Sequence, residues 1–205
     1  MKLSAVILAG GQSRRMGINK ALLPVQGRPL LFRQIGVLRD SGVSEILVSG
    51  RCPGNLRAPH TRWVPDHFEG AGPMAGIHAA LEAMQYNHLL VLAVDMACVS
   101  SPFIGQITGM VQDHAGIVPK LPGGIEPLAA IYPRSARALA ASQLQNGRRS
   151  AREFAFACVE SRMASFLELA QNCEGLLRSF NTPAEWLDHS TKGCKGSEQA
   201  AFNQP

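Results

Sequence analysis

Between Met1 and Arg39 the chain has no aspartate or glutamate, although Lys2, Arg14, Arg15, Lys20, Arg28, Arg33 and Arg39 all fall there. A second acid-free stretch, between Glu126 and Glu153, carries Arg134, Arg137, Arg148, Arg149 and Arg152. Stretches of this kind either line one cleft for a polyanionic ligand or form two solvated basic surfaces. Aromatic residues are scarce at 6% and do not interleave the arginines, so no nucleic-acid partner is expected from stacking platforms. The five cysteines, Cys52, Cys98, Cys158, Cys173 and Cys194, are widely spaced and form no C-x-x-C pair. That pattern offers neither a disulfide framework nor a zinc cage, and the expectation is a reducing, cytoplasmic setting. The first apolar run, Leu3 to Ala9, falls far short of the ~20 residues of a membrane helix and has no basic flank with a cleavage site, so no membrane association is expected.

What is present suits one globular unit. Hydrophobic residues make up 46% of the 205 residues, enough for a single well-filled core. Residues 1–188 read as that domain, and 189–205 as a polar, disordered tail. Short apolar runs at Val6 to Ala9, Ile46 to Val48, Trp63 to Val64 and Leu89 to Val94 alternate with segments of helical period. This is the signature of an α/β fold, a Rossmann-like three-layer sandwich with a mainly parallel central sheet. Leu31, Ile35 and Leu38 share one helical face, as do Met74, Ile77, Leu81 and Met84. Helix starts are expected at Ser101-Pro102, with Ser101 as the cap, at Ser150 with Glu153, and at Thr182 with Glu185. A late strand is expected over Leu128 to Tyr132, while residues 161 to 180 give no clear period.

The first strand runs directly into Gly10-Gly11-Gln12-Ser13-Arg14-Arg15-Met16-Gly17-Ile18-Asn19-Lys20. Ligands of open α/β sheets bind outside the carboxyl ends of the strands, and paired glycines let backbone N–H groups approach phosphate oxygens. Arg15 and Lys20 would supply the charge that several phosphates demand. The segment is no Walker A loop, because Lys20 stands three positions after Gly17 and is followed by Ala21 instead of Ser or Thr. It also lacks G-x-G-x-x-G. Asp95, at the end of the most apolar strand, is expected at the same edge, as a magnesium ligand or as a turn aspartate. Asp66, after Trp63-Val64-Pro65, either reaches the same cleft or forms the turn before Gly72-Pro73.

The pattern L-A-G-G-x-S-x-R-M-G-x-x-K over Leu8 to Lys20 resembles the signature of the molybdenum cofactor guanylyltransferases, within the wider nucleotidyltransferase family of that fold. Further segments match in order: Asp66 with Gly72-Pro73-Met74-Ala75-Gly76, Val94-Asp95, Pro127-Leu128, Gly147-Arg148-Arg149-Ser150 and Asn181-Thr182-Pro183. The resemblance implies transfer of GMP from GTP to molybdopterin carrying molybdenum, with pyrophosphate released and the product passed to molybdoenzymes or to other cofactor-biosynthesis proteins. It implies nucleotide binding by Leu8, Ala9, Gly10, Gly11, Lys20, Ser49, Asp66 and Asp95. Catalysis would fall to Lys20, Arg15 and Asp95, with Mg2+ on Asp95, and acceptor binding to Asn181 and Arg148. Arg148 has a solvated helix end as its alternative reading. Asn19 stands where that family commonly has aspartate, and Ser49 where some members have asparagine. A cytidylyltransferase for molybdopterin, or another small-molecule phosphate nucleotidyltransferase, is the alternative.

Overall fold

The computed structural model describes residues 1–10, 19–25, 27–50, 58–112, 114–180 and 185. Gly11, Arg15, Asn181, the Thr182 cap and the 189–205 tail lie outside the described residues.

The chain order is β1 (Ser4–Leu8), β2 (Pro24–Val25), β3 (Arg28–Pro29), α1 (Leu30–Asp40), β4 (Glu45–Ser49), β5 (Arg62–Val64), α2 (Pro73–Ala83), β6 (His88–Ala93) and α3 (Ser101–Gly109). It continues through β7 (Gly116–Leu121), β8 (Gly124–Ile125), β9 (Ile131–Pro133), α4 (Arg137–Gln145), α5 (Ala151–Glu160) and β10 (Ala164–Glu168). One sheet runs in the order β10-β7-β9-β6-β1-β4-β5, with β8 paired to β7 beside that path. β1 lies parallel to both β4 and β6, and β4 to β5, while β9 opposes β6 and β7. The expected mainly parallel sheet is therefore present, with β9 as the reversal.

Side-chain alternation along β1 makes the three layers. Leu3, Ala5 and Ile7 pack with α1 and α3 on one face, while Val6 and Leu8 pack with α2, α4 and α5 on the other. All five residues of β1 are buried, as befits a strand covered on both sides. Helix α2 goes beyond the single apolar face read from its period, since every residue from Met74 to Leu81 is buried. It is enclosed by the sheet, by α4 and by the Phe68 segment. Its close approach depends on Gly76, where a Cβ would come within 2.2 Å of Ser49 Oγ and 2.8 Å of Leu8 Cδ2.

Three local expectations change. The cap of α3 is Ser100, whose hydroxyl accepts from Phe103 N, so Ser101 is already helical and Pro102 takes the second position. The late strand is shorter and later than Leu128 to Tyr132, because Pro127–Ala129 forms a 3-10 turn and pairing begins only at Ile131. Glu126 initiates that turn by accepting from Leu128 N through its side chain. Strand β7 carried a proline and turn residues that masked its pairing, and β10 lay in the stretch without clear period. The Ser150 cap stands as expected, its hydroxyl accepting from Glu153 N at 3.2 Å.

Candidate active site

Register decides where the functional segments emerge. Leu8 sits beside Ser49 on one side and Ala93 on the other, and Ser49 sits beside Val64. The segments that begin at Ala9, Gly50, Pro65 and Val94 therefore leave the sheet at one shared carboxyl edge. A cleft of about 190 Å³ opens there, lined by Leu8, Ala9, Gly10, Asn19, Lys20 and Asp95 together with Pro73 and Leu128.

Lys20 and Asp95 meet directly in this cleft, with Nζ donating to Oδ2 at 2.6 Å. Both side chains are mostly shielded, at 19% and 15% exposure, so the attraction is stronger than between fully solvated partners. Lys20 is placed by the 3-10 turn Lys20–Leu22, whose N-cap is Asn19 with Oδ1 accepting from Ala21 N at 3.0 Å. A cap needs only a side-chain oxygen, which asparagine supplies as well as aspartate would.

The backbone around Asp95 is fixed from behind by a residue that sequence reading passed over. Gln34 lies on the buried face of α1 among Leu31, Ile35 and Leu38, and is itself 0% exposed. Its Nε2 donates to Val94 O at 3.3 Å and to Met96 O at 2.8 Å, bracketing Asp95. The signal was legible in principle, since a glutamine on an apolar helical face must find partners for its amide. Phe180 N also donates to Asp95 O.

Gly10 and Gly50 touch across the edge. Gly50 has a φ of +106°, and a Cβ on it would stand 2.5 Å from Gly10 Cα, so glycine is required there on both counts. Asp66 approaches from the β5 side, with Oδ2 3.4 Å from where a Gly10 Cβ would be. Burial raises the Asp66 carboxyl pKa, opposed by the neighbouring His67. Asp66 thus comes to Gly10 at the shared edge.

Ser49 is not brought to the cleft. It is 2% exposed, its hydroxyl lies under α2 at Gly76, and its contribution to the loop is a carbonyl that accepts from Ala9 N at 3.1 Å. Arg148 is exposed, and its backbone N–H closes the end of α4 on Gln143 O. Arg149 reaches from the same corner to Gly70 O, in the segment that leads into α2. Several arginines of the acid-free stretches hold main chain together instead of lining the cleft. Arg134 donates to Met84 O and Tyr86 O at the amino edge of β6, Arg33 to Val99 O and Arg39 to Pro59 O.

Glu126 is the other carboxylate near this edge that sequence reading left without a role. Burial raises its pKa, while the hydrogen bond from Leu128 N and the charge of Arg152 act in the opposite direction. Among the described residues, no three or more His, Cys, Asp or Glu side chains gather as a metal cage. Asp95 nevertheless suits Mg2+, which takes one or two carboxylates and completes its shell with substrate phosphates and water. No helix among the described residues is long and apolar enough to cross a membrane.

Comparison with known proteins identifies the family. Residues 5–161 match the model of the MobA-like NTP transferase domain. A probable molybdenum cofactor guanylyltransferase of Opitutus terrae is 36% identical over 186 residues, covering 89% of this chain and 92% of that protein. One of the same description from Clostridium perfringens is 33% identical over 147 residues, 71% of this chain and 73% of its own. The crystal structure of molybdopterin-guanine dinucleotide biosynthesis protein A from Archaeoglobus fulgidus superposes with a TM-score of 0.71 at 22% identity, over 92% of this chain and 97% of that one. With Gly10, Lys20 and Asp95 on one sheet edge, and a family match that spans most of the fold, this chain belongs to the MobA-like NTP transferase family.

Proposed function

We propose that the protein transfers GMP from GTP to the phosphate of molybdopterin carrying molybdenum, releasing pyrophosphate and forming molybdopterin guanine dinucleotide. The observation that carries this reading is the Lys20–Asp95 pair beside Gly10 at the carboxyl edge of β1 and β6. The guanine and the molybdopterin acceptor are supported by relatives described as molybdenum cofactor guanylyltransferases.

In this scheme the backbone of Leu8, Ala9 and Gly10 approaches the phosphates, with Gly11 and Arg15 completing the loop. An oxygen of the acceptor phosphate forms a bond to the α-phosphorus as the bond from that phosphorus to the bridging oxygen breaks. The electron pair leaves with pyrophosphate. The attacking oxygen is already ionised near neutral pH, so the protein needs no general base and contributes positioning and charge neutralisation. Lys20 neutralises the charge that gathers on the phosphates. Asp95 would hold Mg2+, which when bound adds positive charge at the same oxygens. Asp66 would receive the nucleoside, and the acceptor roles of Arg148, exposed at the end of α4, and of Asn181 rest on the family resemblance. The enzyme would work in the cytoplasm, where the buried thiols of Cys98, Cys158 and Cys173 stay reduced.

The test is mass spectrometry of the product formed from molybdenum-loaded molybdopterin, Mg2+ and an equimolar mixture of GTP, CTP, ATP and UTP, with pyrophosphate measured in parallel. A guanine dinucleotide supports the proposal. A cytosine dinucleotide refutes the choice of base, and no pyrophosphate from any nucleotide refutes the reaction.

A further inference from the structure

Asp95 divides the carboxyl edge into two halves. On one side, the ends of β1, β4 and β5 deliver Gly10, Gly50 and Asp66. On the other side lies the corner formed by β7 and β8. Strand β7 opposes β9, which opposes β6, so β7 runs with β6 and its end at Leu121 reaches the same edge. The hairpin into β8 then brings Glu126 there, with its backbone N–H on Pro119 O at 2.8 Å.

This corner is a built one. Leu128 lines the cleft beside Asp95, and its amide holds Glu126 Oε1 at 3.1 Å. The guanidinium of Arg152, at the start of α5, lies across Gly124, where a Cβ would come within 3.0 Å of Nη1. Among the described residues Arg152 acts on Glu126 through its charge without closing an ion pair, and Leu128 N engages only Oε1, so Oε2 is left to another donor. The hydrogen bond fixes one oxygen, and partial desolvation strengthens what the other can accept.

An in-line transfer needs its two substrates on opposite sides of the α-phosphorus. The nucleotide takes the half that holds Gly10, Gly50 and Asp66, which leaves the Glu126 half to the acceptor. Guanine and a pterin both carry a 2-amino-4-oxo pyrimidine ring, whose N–H edge pairs well with a carboxylate. The edge offers a carboxylate to each side, the more exposed Asp66 and the half-buried Glu126. We infer that Glu126 is a specificity residue for the acceptor, receiving the N–H donors of its pterin ring. The inference rests on the reaction proposed above.

Glu126→Gln keeps size and the oxygen that Leu128 N needs, but removes the charge and turns one acceptor into a donor. In steady-state assays of the full chain with GTP and molybdenum-loaded molybdopterin, Glu126→Gln should raise the acceptor KM about ten- to hundred-fold, with the GTP KM unchanged. Titration with 6-hydroxymethylpterin, followed by its own fluorescence, should show weak binding to the wild type and none to Glu126→Gln, while calorimetry finds GTP bound equally by both. Product from the wild type together with an unchanged acceptor KM in Glu126→Gln overturns this inference alone. An equal loss of GTP affinity in Glu126→Gln also overturns it, by assigning Glu126 to the nucleotide or to the fold. Failure of the wild type to form any product overturns the underlying reaction, and the inference with it.

Discussion

Lys20 Nζ lies 2.6 Å from Asp95 Oδ2, so the cation expected to meet phosphate and the carboxylate expected to meet metal neutralise each other across 75 residues of sequence. A divalent ion must compete with Lys20 for Asp95, whereas a nucleotide draws Lys20 toward its phosphates and frees the carboxylate. Metal should therefore bind weakly to the protein alone and more tightly once GTP is present. Lys20→Ala should raise the affinity of the nucleotide-free protein for Mn2+ about tenfold, equivalent to ~1.4 kcal/mol, and shrink the enhancement produced by GTP. Electron paramagnetic resonance of free Mn2+ measures both. Equal affinity in the wild type and Lys20→Ala without nucleotide would show that the pair does not gate the site.

Gln34 ties α1 to the two carbonyls that flank Asp95. Leucine at this position fits the apolar face but leaves Val94 O and Met96 O without that donor, which costs about 1–3 kcal/mol for each buried group so abandoned. Gln34→Leu should lower the denaturation midpoint and, under conditions where it is still folded, weaken Mn2+ binding to the GTP complex. A fall in stability with an unaltered Mn2+ affinity would make Gln34 a core residue only.

Much of this edge was readable from the chain, and the physical reasons divide cleanly. The strands around β1 and β6 announce themselves because burial on both faces demands unbroken apolar runs; Asp95 follows from where β6 stops, whereas Lys20 was read from the glycine-rich pattern after β1 and from the family resemblance. Of the two expected caps within the described residues, Ser150 stands as read and the other is one residue early, the slip to Ser100 arising because consecutive serines offer two equivalent hydroxyls before one proline. Strands β7 and β10 were missed because edge and near-edge pairing is set by partners distant in sequence, which local period does not encode. The placement of Ser49 under α2, and of Arg134 at the opposite edge, likewise depends on packing between elements. Charge counting placed arginines in acid-free stretches but could not say that their guanidinium groups end on main-chain carbonyls.

The contact between α2 and the β1–β4 edge is tight enough to predict an energetic coupling. In Gly76→Ala, the new methyl would sit 2.2 Å from Ser49 Oγ, a clash that overpacks a buried layer and should cost about 1–3 kcal/mol. Removing the hydroxyl should recover part of that cost, although Ser49 Cβ at 3.0 Å and Leu8 Cδ2 at 2.8 Å still press on the methyl. Urea denaturation of Gly76→Ala, Ser49→Ala and the double variant forms a cycle whose interaction energy should be favourable by about 0.5 kcal/mol or more. Strict additivity would mean that the helix shifts instead of pressing on Ser49.

At the other end of the sheet, Glu45 joins β1, β4, β5 and the segment before β6. Its Oε2 accepts from Ser4 Oγ at 2.6 Å and from Gln85 N at 2.8 Å, and its Oε1 accepts from Arg62 Nη2 at 2.7 Å. Burial pushes this carboxyl upward, but the hydrogen bonds from Ser4, Gln85 and Arg62 outweigh it and hold the pKa below the ordinary 4.5. An acid depressed in the folded state binds fewer protons there than in the unfolded chain. Its stabilisation is complete above 4.5 and is lost as pH falls through the lower folded value. Glu45→Gln should therefore be less stable than the wild type by about 1–2 kcal/mol near neutral pH, and the gap should narrow at about pH 2.5 as the acid is drawn through the lowered folded value and the carboxylate takes up its proton. Thermal or urea unfolding at the two pH values checks this. A gap that persists undiminished in acid would assign the loss to packing rather than to the carboxylate.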